Sequence, residues 1–151
     1  MIKMGYKEII ENFYECLKSV DPELTKVKIS EDKWTLREII GHLIDSASNN
    51  HQRIVRLQIS DLLDFPRYDG EQWISVQEYN NFDWECLINM WYQCNLLILH
   101  IINVINDEKL RNLWVIDEDN SITLEEVIHK YYVHLENHIE HFNRRLGELI
   151  L

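Results

Sequence analysis

Glycine and proline are scarce in this sequence, and that scarcity constrains the fold more than any other feature. The 151 residues include 4 glycines and 2 prolines, whereas a protein of strands and tight turns needs many more of both. Long helices are therefore favoured. At this length one domain is the expectation, and residues 1–151 are predicted to form it.

Apolar residues recur with helical spacing in four regions. The predicted helices run from about Gly5 to Val20, from Thr35 to about Ser60, from about Phe82 to Asn106, and from Thr123 to the C-terminus. Thr35 is followed three residues later by Glu38, a capping box that is typical of a helix start. Thr123 and Glu126 repeat this pattern at the last helix.

Two long connections join these helices. The first, residues 61–81, contains Pro66 and Gly70 and lacks helical periodicity at its start. The second, residues 107–122, is expected to be a turn or to carry a short strand. Long connections in compact domains are often functional. Four amphipathic helices with long crossover connections predict an all-α protein, a four-helix bundle.

Charge and composition exclude several classes of protein. The net charge of −11 argues against a nucleic-acid partner, because such proteins concentrate Lys and Arg. The N-terminus lacks the apolar core of a signal peptide, and no run of about 18 apolar residues predicts a membrane span. The three cysteines form no CxxC motif, which indicates reduced thiols and a cytoplasmic protein: Cys16, Cys86 and Cys94.

Three histidines share a stripe on the last predicted helix. His134 and His138 are four residues apart and point the same way, and His141 continues the stripe. Such a pair can chelate one divalent ion, with a third ligand from a facing helix. His42 is the candidate, since a polar residue among buried positions needs a partner. Surface histidines, or a hydrogen-bonded core histidine, remain the alternative on spacing alone.

Three segments resemble a known family. "WTLREIIGHLIDSASNNHQRIVRLQ" resembles the second-helix signature of the DinB-like (YfiT-like) metal-dependent bundle superfamily. "FPRYDGEQW" is similar to a loop of one branch, and "YYVHLENHIEHF" resembles the last helix of that branch. The likeness spans Trp34 to Phe142. It implies a four-helix bundle with three metal ligands at His42, His134 and His138.

The sequence departs from that pattern at the last helix. Asn137 stands where many relatives carry the first histidine of a His-His pair, and His141 and Phe142 replace a Gln-Ile pair. These changes point to altered contacts around the ligands. His141 in place of His134 stays open as an alternative ligand, because a spacing of three residues also faces one way. The remaining histidines have no convergent partners and are interpreted as structural or surface residues: His51, His100 and His129.

A three-histidine site leaves coordination positions open, which is typical of catalytic metal centres. Imidazole suits Zn, Ni or Fe, so the ligand type does not select the metal. A bound water would become a hydroxide nucleophile, and a bound thiol would lose its proton more readily. The resemblance implies hydrolase-like or thiol-transfer chemistry on a small molecule, with a low-molecular-weight thiol as one candidate partner, and it is compatible with a homodimer. A non-catalytic bundle that binds a metal or a partner is the alternative.

Several residues near His42 are candidates to support the site. Asp45, three residues on, can orient an imidazole or act as a base on bound water, or it is a carboxylate on the helix surface. Ser46 lies one turn from His42. Asn49 lies two turns away from His42. It is either a polar residue that lines the pocket or an exposed residue. Trp34, just before the cap, is expected to staple the helix start.

Three residues of the first connection are candidates to cover the pocket: Tyr68, Asp69 and Trp73. In the alternative, Tyr68 and Trp73 anchor the connection to the bundle while Asp69 caps a turn.

Overall fold

Four long helices form a bundle, as predicted. The computed structural model describes residues 5–151. The long helices are α1 (Tyr6–Ser19), α2 (Leu36–Ile59), α4 (Trp84–Asn103) and α5 (Leu124–Ile150), and the short helix α3 (Gly70–Gln77) lies in the first connection. The third long helix starts later than predicted, because the Asp83 side chain caps its start by accepting from the Cys86 N–H, and it ends at Asn103 rather than Asn106.

Both predicted capping boxes are confirmed. The Thr35 hydroxyl accepts from the Glu38 N–H, and the Glu38 carboxylate accepts from the Thr35 N–H at 2.8 Å. Thr123 and Glu126 make the same reciprocal pair at α5. Each box satisfies two N–H groups that a helix start otherwise leaves unpaired. These caps fix the beginnings of α2 and α5, the two helices that carry the candidate metal ligands.

The bundle closes around an aromatic core. Helix α2 packs against α4 and α5, and α1 packs against α4. Phe13 of α1 makes edge-on contacts with Trp91 of α4 and Phe142 of α5, at ring separations of 5.1 and 5.3 Å. All three rings are buried. Each large side chain removed from water contributes about 1.5–3 kcal/mol, so these contacts hold α1, α4 and α5 together.

A small sheet ties the two long connections together. Its strands are β1 (Leu62–Asp64), β2 (Leu113–Asp117) and β3 (Asn120–Thr123), in the order β1-β2-β3. β1 pairs with β2 in parallel, with Leu63 opposite Trp114, and β2 pairs with β3 in antiparallel. The Trp114 indole N–H donates to the Phe65 carbonyl at 2.9 Å. The short strand expected in the second connection is present. β1 was not predicted, because three residues are too few to show a strand period. The helix α3 was not predicted either.

The three cysteines of the chain are all free thiols: Cys16, Cys86 and Cys94. Across residues 5–151, none of the helices has both the length and the apolar character that crossing a membrane requires.

Candidate metal centre

Three histidine side chains from two helices meet at one point of the bundle. His42 comes from α2, and His134 and His138 come from successive turns of α5. One ring nitrogen from each lies within 4.8 Å of the other two. His42 Nε2 is 3.0 Å from His134 Nε2. His42 is buried and the other two are half-buried, so the cluster sits inside the bundle but near its surface.

This donor set fits a divalent transition-metal ion. Two imidazole nitrogens bound tetrahedrally to one zinc, at about 2.0–2.1 Å each, lie about 3.3 Å apart. The observed 3.0 Å between His42 and His134 is close to that value. The Nδ1 atoms of His42 and His138 are buried and have no hydrogen-bond partner among residues 5–151. Three imidazoles gathered without carboxylates are donors that Zn, Ni, Fe or Cu accept.

Burial keeps these imidazoles neutral. Burial, followed by the charges of His134 and His141, lowers the pKa of His42 to about 4. Burial, followed by the charges of His134, His42 and His141, lowers the pKa of His138 to about 3. Burial also lowers the pKa of His134. Since a metal binds the neutral form of histidine, the three rings are in the ligating form at neutral pH.

Ser46 lies against one of the three histidines. Its hydroxyl is 3.3 Å from His134 Nδ1, and it accepts from the Asn50 side chain at 3.4 Å. A partner on Nδ1 fixes the orientation of an imidazole and leaves Nε2 for another bond. Ser46 therefore directs His134 Nε2 toward His42. Asn49 has a different role from Ser46. It is buried, and its side chain donates to the Asp45 carbonyl at 2.9 Å.

Asp45 is buried and anchors the end of the first connection. Its Oδ1 accepts from the Tyr79 hydroxyl at 2.6 Å and from the Gln77 side chain at 2.9 Å. Its Oδ2 is buried without a hydrogen-bond partner in the described part of the chain. Burial raises the pKa of Asp45, although the bonds from Tyr79 and Gln77 lower it. The surface interpretation of Asp45 is wrong, since only 2% of the residue is exposed.

Two residues that sequence reasoning did not place at the site cover the histidines. The Trp34 ring lies 4.8 Å from the His42 ring and 6.3 Å from the His138 ring, and its N–H donates to Glu71 at 3.1 Å. Gly70 begins α3 directly against His42. A Cβ at position 70 would lie 3.0 Å from His42 Cε1, so the absence of a side chain permits this close approach.

The loop residues divide between the two predicted roles. Asp69 caps α3 by accepting from two backbone N–H groups of its first turn, at 3.0 and 3.1 Å. The Tyr68 and Trp73 rings are 5.1 Å apart, and both residues are half-buried. Tyr68 also lines a cleft beside His134. Asp69 therefore follows the capping alternative, while Tyr68 forms part of a wall near the centre.

The cleft beside His134 has a volume of about 190 Å³. It lies between α2, α5, the first connection and the sheet. Ser46 and His134 line it next to the centre, and Arg53, Tyr68 and Trp114 line it as well. A small molecule can therefore occupy a space that the candidate metal ligand His134 borders.

His141 lies beside the cluster but outside it. Its ring is 5.8 Å from the His138 ring. It lines a separate cleft with Trp34, Glu71 and Arg145. The nitrogens that lie within 4.8 Å of one another include that of His134 and not that of His141. The remaining histidines are not part of the cluster, and two of them are exposed: His100 and His129.

Comparison with known sequences identifies relatives over most of the chain. A profile of the DinB superfamily matches residues 6–142. "Putative metal-dependent hydrolase OB0413" from Oceanobacillus iheyensis is 26% identical, over 97% of this chain and 92% of the relative. "Putative metal-dependent hydrolase YfiT" from Bacillus subtilis is 25% identical, over 76% of this chain and 66% of the relative.

Solved structures share the fold. YfiT from Bacillus subtilis, described as a probable metal-dependent hydrolase with an unusual four-helix bundle topology, matches with a TM-score of 0.72 at 20% identity, over 96% of this chain and 87% of that one. A DinB-like protein from the same organism, YjoA, matches with a TM-score of 0.52 at 15% identity, over 93% and 80%. The family profile, together with this common bundle, confirms the resemblance drawn from the three segments: the chain belongs to the DinB superfamily.

Proposed function

We propose that this protein binds one divalent transition-metal ion through His42, His134 and His138 and hydrolyses a small molecule in the adjacent cleft. The convergence of three neutral imidazoles from two helices within 4.8 Å supports the metal site. The names of the two curated relatives support hydrolysis as the reaction class. Zinc, nickel and iron are the candidate ions.

An ion held there would act as a Lewis acid and would lower the pKa of a bound water. The residues of the chain hold the ligands in place and limit the entry of solvent. Ser46 orients the His134 ring, and Gly70 lies so close to the His42 ring that a Cβ there would be 3.0 Å from His42 Cε1. Trp34 covers His42 and His138. These contacts preorganise the ligands, so little rearrangement is needed when the ion binds.

Asp45 is our candidate general base. Its buried Oδ2 has no hydrogen-bond partner within residues 5–151, and burial raises the pKa of the carboxyl toward the range that suits proton transfer. Asp45→Asn keeps the shape of the residue beside Tyr79 and Gln77. If Asp45 is the base, this variant retains its metal but loses kcat and the acidic limb of the pH profile. An unchanged profile would leave Asp45 with its anchoring role alone.

The metal site is tested by elemental analysis after purification and supplementation with Zn, Ni and Fe. The wild type is expected to hold close to one equivalent, while His138→Ala holds less than about 0.1 and keeps its far-ultraviolet helical signal. His100→Ala, an exposed histidine of α4, is the matched control and should behave as the wild type. A wild-type protein that itself holds less than about 0.1 equivalent would refute the metal site.

Activity is tested separately with the metal-loaded protein on small esters, amides and thioesters. Turnover that disappears in His138→Ala would support hydrolysis. A full equivalent of metal without turnover, combined with a collapse of the melting temperature on chelation, would support the non-catalytic alternative. Thiol transfer, a homodimer and a cytoplasmic location remain predictions from the sequence.

A further inference from the structure

Arg53 is a buried cation that has no carboxylate partner among residues 5–151. It lies on α2 and is 6% exposed. Its hydrogen bonds to the Asn50 side chain and the Pro66 carbonyl are long, at 3.4 and 3.5 Å. Its Nε is buried and unpartnered, and the ion pairs found within residues 5–151 do not include it. No acidic side chain among residues 5–151 therefore neutralises the charge of this guanidinium.

Aromatic rings hold the guanidinium in place. It lies 4.0 Å from the Trp114 ring, 5.7 Å from the Phe65 ring and 6.0 Å from the Tyr68 ring. Stacking of this kind orients an arginine and stabilises it in part. An arginine stays protonated even when it is buried, so the remaining charge calls for an anion. A protein with a net charge of −11 could easily supply an acidic side chain here, and the structure does not place one.

The unpaired guanidinium lines the same cleft as the candidate metal centre. Ser46 and Arg53 are seven residues apart on α2, which puts them on one face and about 10 Å apart along the helix axis. Lys130 of α5 is a second cation in the cleft wall, and the described residues that line the cleft include no Asp or Glu. The cleft is thus bordered by a metal-ligating candidate, His134, and by two positive charges that have no acidic neighbour in its wall.

We propose that this cleft binds an anionic group of the substrate, a carboxylate or a phosphate, on Arg53, with Lys130 as the second cation. A guanidinium presents two parallel N–H groups that match such an anion. This inference deepens the proposed function and rests on it for the position of the reacting group, which lies at the histidines. The substrate is then a small anion whose charged group lies at Arg53 while its reacting bond lies at the histidines.

The test measures binding of inorganic phosphate and of acetate to the full chain by calorimetry, with and without bound metal. In the metal-free protein the metal cannot supply an anion site, so binding there reports on the cleft. Arg53→Gln is expected to weaken binding by about tenfold or more, the scale of one charge-assisted hydrogen-bonded pair. Arg53→Lys keeps the charge without the paired N–H groups and should fall between the two. The anion that loses more affinity identifies the class of the substrate group.

Arg56→Gln is the matched control, because Arg56 lies one turn further along α2, is exposed and bonds to Gln52. It should bind both anions as the wild type does. If the wild type binds neither anion, or if Arg53→Gln and Arg53→Lys bind them as well as the wild type, the inference is overturned. If Arg53→Gln does not fold, Arg53→Lys alone decides the outcome.

The same variants separate this inference from the proposed function. His42→Ala should lose the metal and retain phosphate binding, whereas Arg53→Gln should retain the metal and lose phosphate binding. A wild type that holds no metal but binds phosphate through Arg53 would refute the metal site and leave the anion site standing. A wild type that holds metal, and whose affinity for phosphate does not depend on Arg53, would refute the anion site and leave the metal site standing.

Discussion

Acidification from pH 7 to pH 5 is expected to destabilise the metal-free protein by about 4 kcal/mol, through the buried His42 and the half-buried His138. In the unfolded chain a histidine titrates near pH 6.5. In the folded protein the pKa of His42 is about 4 and that of His138 is about 3. Between these values the unfolded state binds protons that the folded state does not, so stability is complete above pH 6.5 and is lost as the pH falls toward 4 and 3.

The magnitude follows from the pH interval below 6.5. Each pH unit costs about 1.36 kcal/mol per histidine, so at pH 5 each of the two contributes a loss of about 2 kcal/mol. The lowered pKa of His134 adds a loss of the same sign. The raised pKa of Asp45 works the other way and reduces the total. A loss of about 4 kcal/mol is large beside a total stability of about 5–15 kcal/mol, so it is measurable.

Urea unfolding of chelator-treated protein at pH 7, 6 and 5 measures this effect. The double variant His42→Gln with His138→Gln should lose most of the pH dependence, since glutamine at these two positions does not titrate. His100→Gln, at an exposed position, should keep it. A wild-type stability that is flat between pH 7 and pH 5, or a double variant that falls as steeply as the wild type, would refute the reasoning.

Two further substitutions test the contacts that hold the centre in place. Gly70→Ala should weaken zinc binding in equilibrium dialysis, because the new Cβ would lie 3.0 Å from His42 Cε1; Gly147→Ala, where nothing lies within 4 Å, should leave zinc binding unchanged. Tyr79→Phe removes the 2.6 Å bond to Asp45 and should lower the free energy of unfolding by about 1–3 kcal/mol in urea titrations; a loss within error would show that water replaces the hydroxyl.

Local signals in the sequence suffice for the long helices and not for the sheet. The capping boxes at Thr35 and Thr123 fix helix starts through bonds within four residues, so the sequence alone contains them. The strand β1 has three residues and exists because β2 pairs with it across the two connections. That pairing is a tertiary contact, and no window of neighbouring residues encodes it.

The candidate site likewise combines residues that local sequence patterns predict with residues that only tertiary contacts bring there. The spacing of His134 and His138 is local and could be read directly from the sequence. His42 was proposed as their partner because it is a polar residue among buried positions, and the family resemblance supported that choice. Trp34 and Gly70 reach the site by contacts across the bundle. Arg53 had a readable signal that was not used: it lies seven residues after Ser46, on the same face of α2.

The two connections do more than join the helices. Helices α2 and α5 alone can bring the three histidines together, but they do not enclose a space for a substrate. Trp114 of β2 and Tyr68 of the first connection supply that wall, and Trp114 is held there by strand pairing and by its bond to the Phe65 carbonyl. Trp114 also stacks on Arg53, which lines the cleft as a cation. The bundle therefore determines where a metal can bind, while the connections determine which small molecule can reach it.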